Sequence, residues 1–328
     1  MTIVELCAGL LLLLGGGEAL VKGSVAVATR MGVSPLLIGL TLVGFGTSTP
    51  ELMTSLRAAQ LGSPGIAVGN VVGSNIANVL LILGIGALLL PIVTTREAFR
   101  RDGSVLVGSG VLLVAVVLLA GTMERWTGAV FLVLLLAYTV HTYRTERLPA
   151  GGPDAGGDGA AGTPPESPPG MGVVPAVLLA VAGIAAVVYG ADLLVGASLV
   201  LARAAGLSEA VIGLTLVAVG TSLPELVTTV TAAIRRQGDV AFGNVVGSTI
   251  FNTFGILGVT AVVQPIPVPA EIVLFDIWVM LAAALLLAVF ATTGWRINRW
   301  EGVAFLAGYA AYLVVQIVPA ARSAVGLP

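Results

Sequence analysis

IGLTLVGFGTSTPE, residues 38–51, returns as IGLTLVAVGTSLPE at residues 212–225, with 11 of 14 positions identical and no gap. The copies lie 174 residues apart, and the same distance separates GNVVGS at 69–74 from GNVVGS at 243–248. Glu18 and Asp192 fall into the same register. Two separate motifs repeating in order at one offset mark a duplicated unit.

Around these copies the chain is built for lipid. Of its 328 residues 57% are hydrophobic and 10% charged, against about 45–50% and about 25% in soluble globular chains. A soluble globule is excluded. Apolar windows of about 20 residues, enough to cross a hydrocarbon core of about 30 Å, recur ten times: 3–28, 35–60, 65–90, 104–121, 126–143, 174–202, 209–233, 241–263, 271–292 and 300–320. The first lacks a positive flank and carries Glu5, which predicts a retained span rather than a cleaved signal. Cys7 and His141 are the single cysteine and histidine, which argues against a disulfide framework, a His-rich metal centre or a histidine-based triad. The net charge of -2, without a basic run, gives no sign of nucleic acid.

Between the fifth and sixth windows lies RTERLPAGGPDAGGDGAAGTPPESPPGMG, a Gly- and Pro-rich linker with almost nothing large to bury. The expected organisation is a first five-helix repeat over 1–143, a flexible cytoplasmic linker over 144–172 and a second five-helix repeat over 173–328. An odd number of spans per repeat makes the second enter from the opposite side. The expected fold is therefore an all-α integral membrane protein of ten transmembrane helices in two inverted five-helix repeats, with its site near mid-bilayer. Ten arginines fall in the odd-numbered loops and four (Arg57, Arg125, Arg203 and Arg322) on the other side. Positive charge stays inside, so the linker is placed in the cytoplasm and both termini outside. Trp126, Trp295 and Trp300 are expected as interfacial anchors.

Glu51 and Glu225 sit in otherwise apolar spans, where an ionised side chain costs about 2.5–3.5 kcal/mol on insertion scales. Neither motif carries a Lys or Arg, so a cation is the simplest compensation. Pro50 has no N–H for the carbonyl of Gly46 and its ring crowds that carbonyl, so the turn from Gly44 to Thr47 opens; Pro224 does the same to Gly220. Carbonyls freed at this depth persist only where protein, water or an ion satisfies them. Thr47 and Glu51 share a helix face, Ser48 lies on a neighbouring stripe, and Ser74 and Asn78 repeat the four-residue spacing. The second copy supplies Thr221, Ser222, Glu225, Ser248 and Asn252.

This set offers carboxylates, hydroxyls, amide oxygens and opened carbonyls, with no imidazole or thiolate. Such ligands suit Ca2+, whereas Mg2+ keeps its waters and softer metals prefer N or S. Na+, similar in size, can use the same oxygens. Two carboxylates match one Ca2+ or two Na+ in charge, so the two ions compete. Glycines 69, 73, 243 and 247 flank the polar residues and would let helices approach closely.

GTSTPE with GNVVGSNIAN, and GTSLPE with GNVVGSTIFN, resemble the paired alpha repeats of the sodium/calcium exchanger branch of the Ca2+/cation antiporter superfamily, in its prokaryotic form. The resemblance spans both halves and implies alternating-access exchange of Na+ for Ca2+, with those ions as transported substrates and no cofactor. It implies that Glu51 and Glu225 bridge the central ions and that the carbonyls of Thr47 and Thr221 complete a Ca2+ site. Flanking Na+ sites would use Ser48, Ser222, Ser74, Ser248 and the carbonyls of Gly44 and Ala218, with Asn78 and Asn252 lining the middle. K+-dependent relatives carry Asp at the position of Asn252; the amide here argues against K+ co-transport, and the short linker leaves no room for a large Ca2+-sensing domain.

The alternatives are H+-coupled Ca2+ exchange, a channel, and an intramembrane aspartyl protease using Asp192, whose paired-Asp motifs are missing. The chain is otherwise expected to be no enzyme and to need no protein partner beyond the bilayer, in a prokaryotic plasma membrane. Glu18 with Lys22, four residues on, reads as a helix-face ion pair, and Asp192 as a polar contact between helices or in a polar cavity; the alternative for both acids is a proton-relay or entry-path role. Asp276 is expected near an interface, His141 at one, and Cys7 as a small apolar filler.

Overall fold

The computed structural model describes residues 2–62, 64–94, 96–146, 171–204, 218–318 and 321. Most of the expected linker and the first part of the seventh span lie outside the described residues. The first span is Thr2–Met31. The second is broken into Pro35–Thr47 and Thr49–Gln60, bent by 43°. The third, fourth and fifth are Pro64–Leu89, Phe99–Ala120 and Arg125–Thr145. The sixth is Val173–Ala204, and the seventh is described as Ala218–Thr221 and Leu223–Ile234. The eighth, ninth and tenth are Gly238–Val263, Ile272–Thr292 and Arg299–Ile317. Eight of these are long and apolar enough to cross a membrane unbroken, and the second does so as a bent pair.

Local chemistry sets the ends. Ser34 accepts from the Leu37 N–H at 3.1 Å to start the second span. At the tenth, Asn298 accepts from the backbone of Trp300 and Glu301, while Glu301 accepts from the Asn298 N–H at 2.7 Å, a reciprocal cap. Gly121, at φ 65, ends the fourth span in the left-handed conformation only glycine adopts without strain. Inside the third and eighth spans the helix widens into π turns at Ala77–Ile82 and Phe251–Ile256, segments that correspond residue for residue at the 174-residue offset.

Two short antiparallel ladders establish the inversion. Ile92 and Val93 pair with Ile297 and Arg296; Thr122 and Met123 pair with Pro267 and Ile266. Moving each residue of one ladder by the repeat offset gives the other. The fourth span runs between Val93 and Thr122, so the two ladders lie on opposite membrane faces. The repeat operation therefore exchanges the faces, as an axis in the membrane plane requires. Each ladder also joins one half to the other.

Third and eighth spans form the centre, with 78% and 83% of their apolar windows buried, against 17% in the tenth. In lipid the tails are as apolar as the side chains, so close packing and hydrogen bonds hold helices together. A Cβ added at Gly243 would lie 2.8 Å from the Leu36 carbonyl, and one at Gly247 would collide with the Leu40 carbonyl, so the second span packs backbone to backbone on the eighth. Gly69 and Gly73 meet no such neighbour among the described residues, because positions equivalent to Leu36 and Leu40 fall in the undescribed part of the seventh span. Phe45 stacks on Phe251 at 4.6 Å across the same interface.

Trp126 and Trp300 are exposed, at 65% and 83%; Trp295, between the ninth and tenth spans, is partly exposed and packs against the core, and its carbonyl accepts from the Thr94 N–H at 2.9 Å. One expectation changes. Cys7 is exposed rather than a packed filler, since it sits on the outward face of the first span.

Candidate ion-binding site

The breaks after Thr47 and Thr221 bring the two repeated motifs face to face. Both bends fall on a serine: Ser48, at φ -81 and ψ 11, and Ser222, at φ -90 and ψ 8, leave the helix before Thr49 and Leu223 resume it. Proline accounts for the position, two residues further on in each case. The carbonyl of Gly46 that Pro50 cannot satisfy accepts from the Thr49 hydroxyl at 2.9 Å, so the structure closes that group off rather than leaving it open. Leu223 stands at the equivalent of Thr49 and offers no hydroxyl.

The bent serines reach across the molecular axis. Ser48 donates to Glu225 Oε1 at 2.8 Å, and Ser222 donates to Glu51 Oε1 at 3.3 Å. Each repeat thus holds the other repeat's carboxylate. Ser222 Oγ is also 3.3 Å from Ser74 Oγ, and Ser248 donates to the carbonyl of Gly44 at 3.1 Å. The Thr47 hydroxyl lies 3.1 Å from the Val43 carbonyl and 3.3 Å from both the Gly44 carbonyl and Asn244 Oδ1, and its one proton serves one of them at a time. Glu51, Glu225, Thr47, Ser48, Ser74, Asn78, Ser222, Ser248 and Asn252 are all buried. Thr221 is partly exposed, and Ala218 begins the described part of the seventh span.

What remains is a set of oxygens awaiting partners. Glu51 Oε2, Glu225 Oε2, and both amide atoms of Asn78 and of Asn252 are buried without a hydrogen bond among the described residues. Each such atom costs about 1–3 kcal/mol unless water or an ion meets it. Four of them are acceptor oxygens, two with carboxylate charge, so a cation satisfies them and an anion does not. Asn78 and Asn252 lie within the π turns, where a widened helix commonly marks a functional position.

Two residues were passed over in the sequence. Asn70 Nδ2 donates to the Glu51 carbonyl at 3.1 Å and to Ser55 Oγ at 2.9 Å; Asn244 Nδ2 donates to the Glu225 carbonyl at 3.1 Å and to Thr229 Oγ1 at 2.9 Å. These amides fix the backbone of each glutamate to the neighbouring span. Asn is the second residue of both GNVVGS copies, and Ser55 and Thr229 also match at the repeat offset. Their polarity inside lipid was the available signal.

Glu18 pairs with Lys22 at 2.8 Å, as its spacing predicts, and also with Arg235 across the repeats. Asp192 is exposed on the sixth span rather than packed between helices. Asp276 accepts from the Tyr312 hydroxyl at 2.9 Å and from Gln316 Nε2 at 2.6 Å.

Ten spans in two inverted halves, with paired buried carboxylates where the halves meet, define a secondary transporter of cations. A family model for sodium/calcium exchanger protein matches residues 1–144 and 175–318. The sodium/calcium exchanger MaX1 of Methanosarcina acetivorans is 38% identical over 94% of this chain and 96% of its own length. The inner membrane protein YrbG of Escherichia coli is 32% identical over 94% and 95%. The solved structure of the sodium-calcium exchanger NCX_Mj, soaked with 10 mM Na+ and zero Ca2+, superposes with a TM-score of 0.82 at 31% identity, covering 97% of this chain and 98% of that one. The chain belongs to the sodium/calcium exchanger family, and it is a membrane antiporter of the Ca2+/cation exchange type. Its relatives are transporters rather than enzymes, which removes the protease alternative.

Proposed function

We propose that the protein exchanges Na+ for Ca2+ across the membrane by alternating access. The observation that carries this reading is the crossed Ser48–Glu225 and Ser222–Glu51 pairing, which leaves one buried acceptor on each carboxylate. Ca2+ is held between Glu51 and Glu225 with the carbonyls of Thr47 and Thr221. Na+ uses Ser48, Ser74, Ser222, Ser248 and the carbonyls of Gly44 and Ala218, with Asn78 and Asn252 lining the centre. A charge of minus two is met by one Ca2+ or by two Na+, and leaving it unmet at low dielectric is costly. The loaded forms are therefore the ones that move, and exchange follows from charge. The two faces open in turn because the halves are inverted copies. The chain sits in a prokaryotic plasma membrane with the linker in the cytoplasm and both termini outside, in keeping with its ten-to-four arginine asymmetry.

Isotopic Ca2+ flux into proteoliposomes separates the driving ions. An imposed Na+ gradient without a pH gradient drives uptake under this reading. Uptake that follows a pH gradient and ignores Na+ overturns it in favour of H+ coupling.

A further inference from the structure

A cavity of about 620 Å3 opens on the face that carries the linker, between the start of the fourth span and the last turns of the fifth. Arg96, Arg100 and Arg101 line it together with Ser104, His141 and Glu97. The linker face is identified by Arg101, which ion-pairs with Glu146 and donates to Thr145 at 3.2 Å, at the end of the fifth span.

Arg101 is built in rather than loose. Its guanidinium pairs with Asp102 at 2.6 Å, Asp102 is completely buried, and the Tyr138 hydroxyl donates to the same carboxylate at 3.0 Å. Asp102 and Glu146 together outweigh its single charge while fixing its plane in the cavity wall. Arg96 and Arg100 are exposed and form no hydrogen bond or ion pair with a described residue, so their donors face the cavity mouth uncommitted. Counted together, Arg96, Arg100 and Arg101 balance Glu97, Asp102 and Glu146, and only Arg96 and Arg100 keep donors to offer.

The other repeat separates what the fold needs from what this face adds. Asp102 and Tyr138 return as Asp276 and Tyr312, with the same hydroxyl-to-carboxylate bond. Arg96, Arg100, Arg101 and His141 return as Ala270, Leu274, Phe275 and Val315. The acid–tyrosine pair is inherited scaffold; the basic lining belongs to one face alone. Topology asks for positive charge in loops on that side, but not for its convergence on a cavity. The fifth span, whose His141 lines the cavity, exposes Val133, Leu136 and Val140, at 65%, 65% and 40%, an apolar strip at helical spacing.

We propose that this cavity binds the phosphate-bearing headgroup of an anionic lipid, with Arg96 and Arg100 as charge-assisted donors and the acyl chains along Val133, Leu136 and Val140. Guanidinium forks suit phosphate oxygens bidentately, and basic pockets between transmembrane helices are a recurrent headgroup site.

The full chain is reconstituted in nanodiscs of neutral phosphatidylcholine, with and without phosphatidylglycerol, and alternatively with inorganic phosphate in the buffer. Phosphatidylglycerol raises the unfolding temperature of the wild type, because a ligand of the folded form stabilises it, and inorganic phosphate does not. The R96Q/R100Q pair removes that shift, weakens phosphatidylglycerol retention in native mass spectrometry by about tenfold, and keeps its unfolding temperature in neutral discs and its Ca2+ exchange. An undiminished shift in the double variant overturns the assignment of the arginines. Inorganic phosphate reproducing the whole shift overturns the lipid as ligand.

Discussion

The two halves of this exchanger agree closely where they meet and differ where they face the membrane surfaces. Around the glutamates the correspondence extends to distances: Asn70 and Asn244 hold their respective carbonyls at 3.1 Å and hydroxyls at 2.9 Å. At the periphery one scaffold has been dressed differently. Asp102 is neutralised by Arg101, whereas its equivalent Asp276 takes hydrogen bonds from Tyr312 and Gln316 and has Phe275 beside it. Glu18 carries Lys22 and Arg235, while Asp192 is exposed with Gly196 where Lys22 would be. Symmetry persists where the two halves pack around the paired glutamates, and lapses where each meets a different environment.

The sharpest break of that comparison is at the carboxylates. Glu51→Gln and Glu225→Gln each remove a charge at nearly constant shape, and both are expected to abolish Ca2+ exchange, with insertion retained. Ca2+ counter-flow in proteoliposomes, beside a membrane-fraction blot, checks this. Normal exchange in one variant would show that the halves are not equivalent at the site.

Packing gives the next effect. Gly247→Ala drives a methyl into the Leu40 carbonyl and should lower stability by about 1–3 kcal/mol or more, seen as a fall in unfolding temperature. An unchanged unfolding temperature would show that the second and eighth spans do not meet backbone to backbone at Gly247.

A smaller effect is expected from Asn70→Ala and Asn244→Ala. Loss of the amide that anchors each glutamate backbone costs about 1.4 kcal/mol, or about tenfold, and should appear chiefly as a raised KM for Ca2+ in flux assays. A response from only one variant would sink the symmetric-clamp reading. Smallest is Lys22→Gln: an exposed pair four residues apart is worth about 0.3–0.5 kcal/mol, so exchange and unfolding should stay near wild type. A tenfold loss of flux would give the Glu18 cluster a part in transport.

Much of this was legible because membrane sequences are blunt. A Glu, a Pro or an Asn inside twenty apolar residues has few innocent explanations, and repetition at one offset excludes chance. The breaks at Ser48 and Ser222 follow from Pro50 and Pro224 through local sterics alone. Less legible were Asn70 and Asn244, whose role depends on which carbonyl lies opposite. The fate of the Gly46 carbonyl was also hidden, because the Thr49 hydroxyl competes for it locally.

The sequence by itself determined the membrane class, the duplication, the helix breaks and the identity of the buried acids, since each is a property of one segment and its solvent. Only the tertiary structure decided that Ser48 serves Glu225 and Ser222 serves Glu51, that the ladders exchange faces, and that three arginines converge beside a buried aspartate. Most of those contacts join residues more than 140 positions apart, and no local propensity or spacing encodes which distant backbone will arrive.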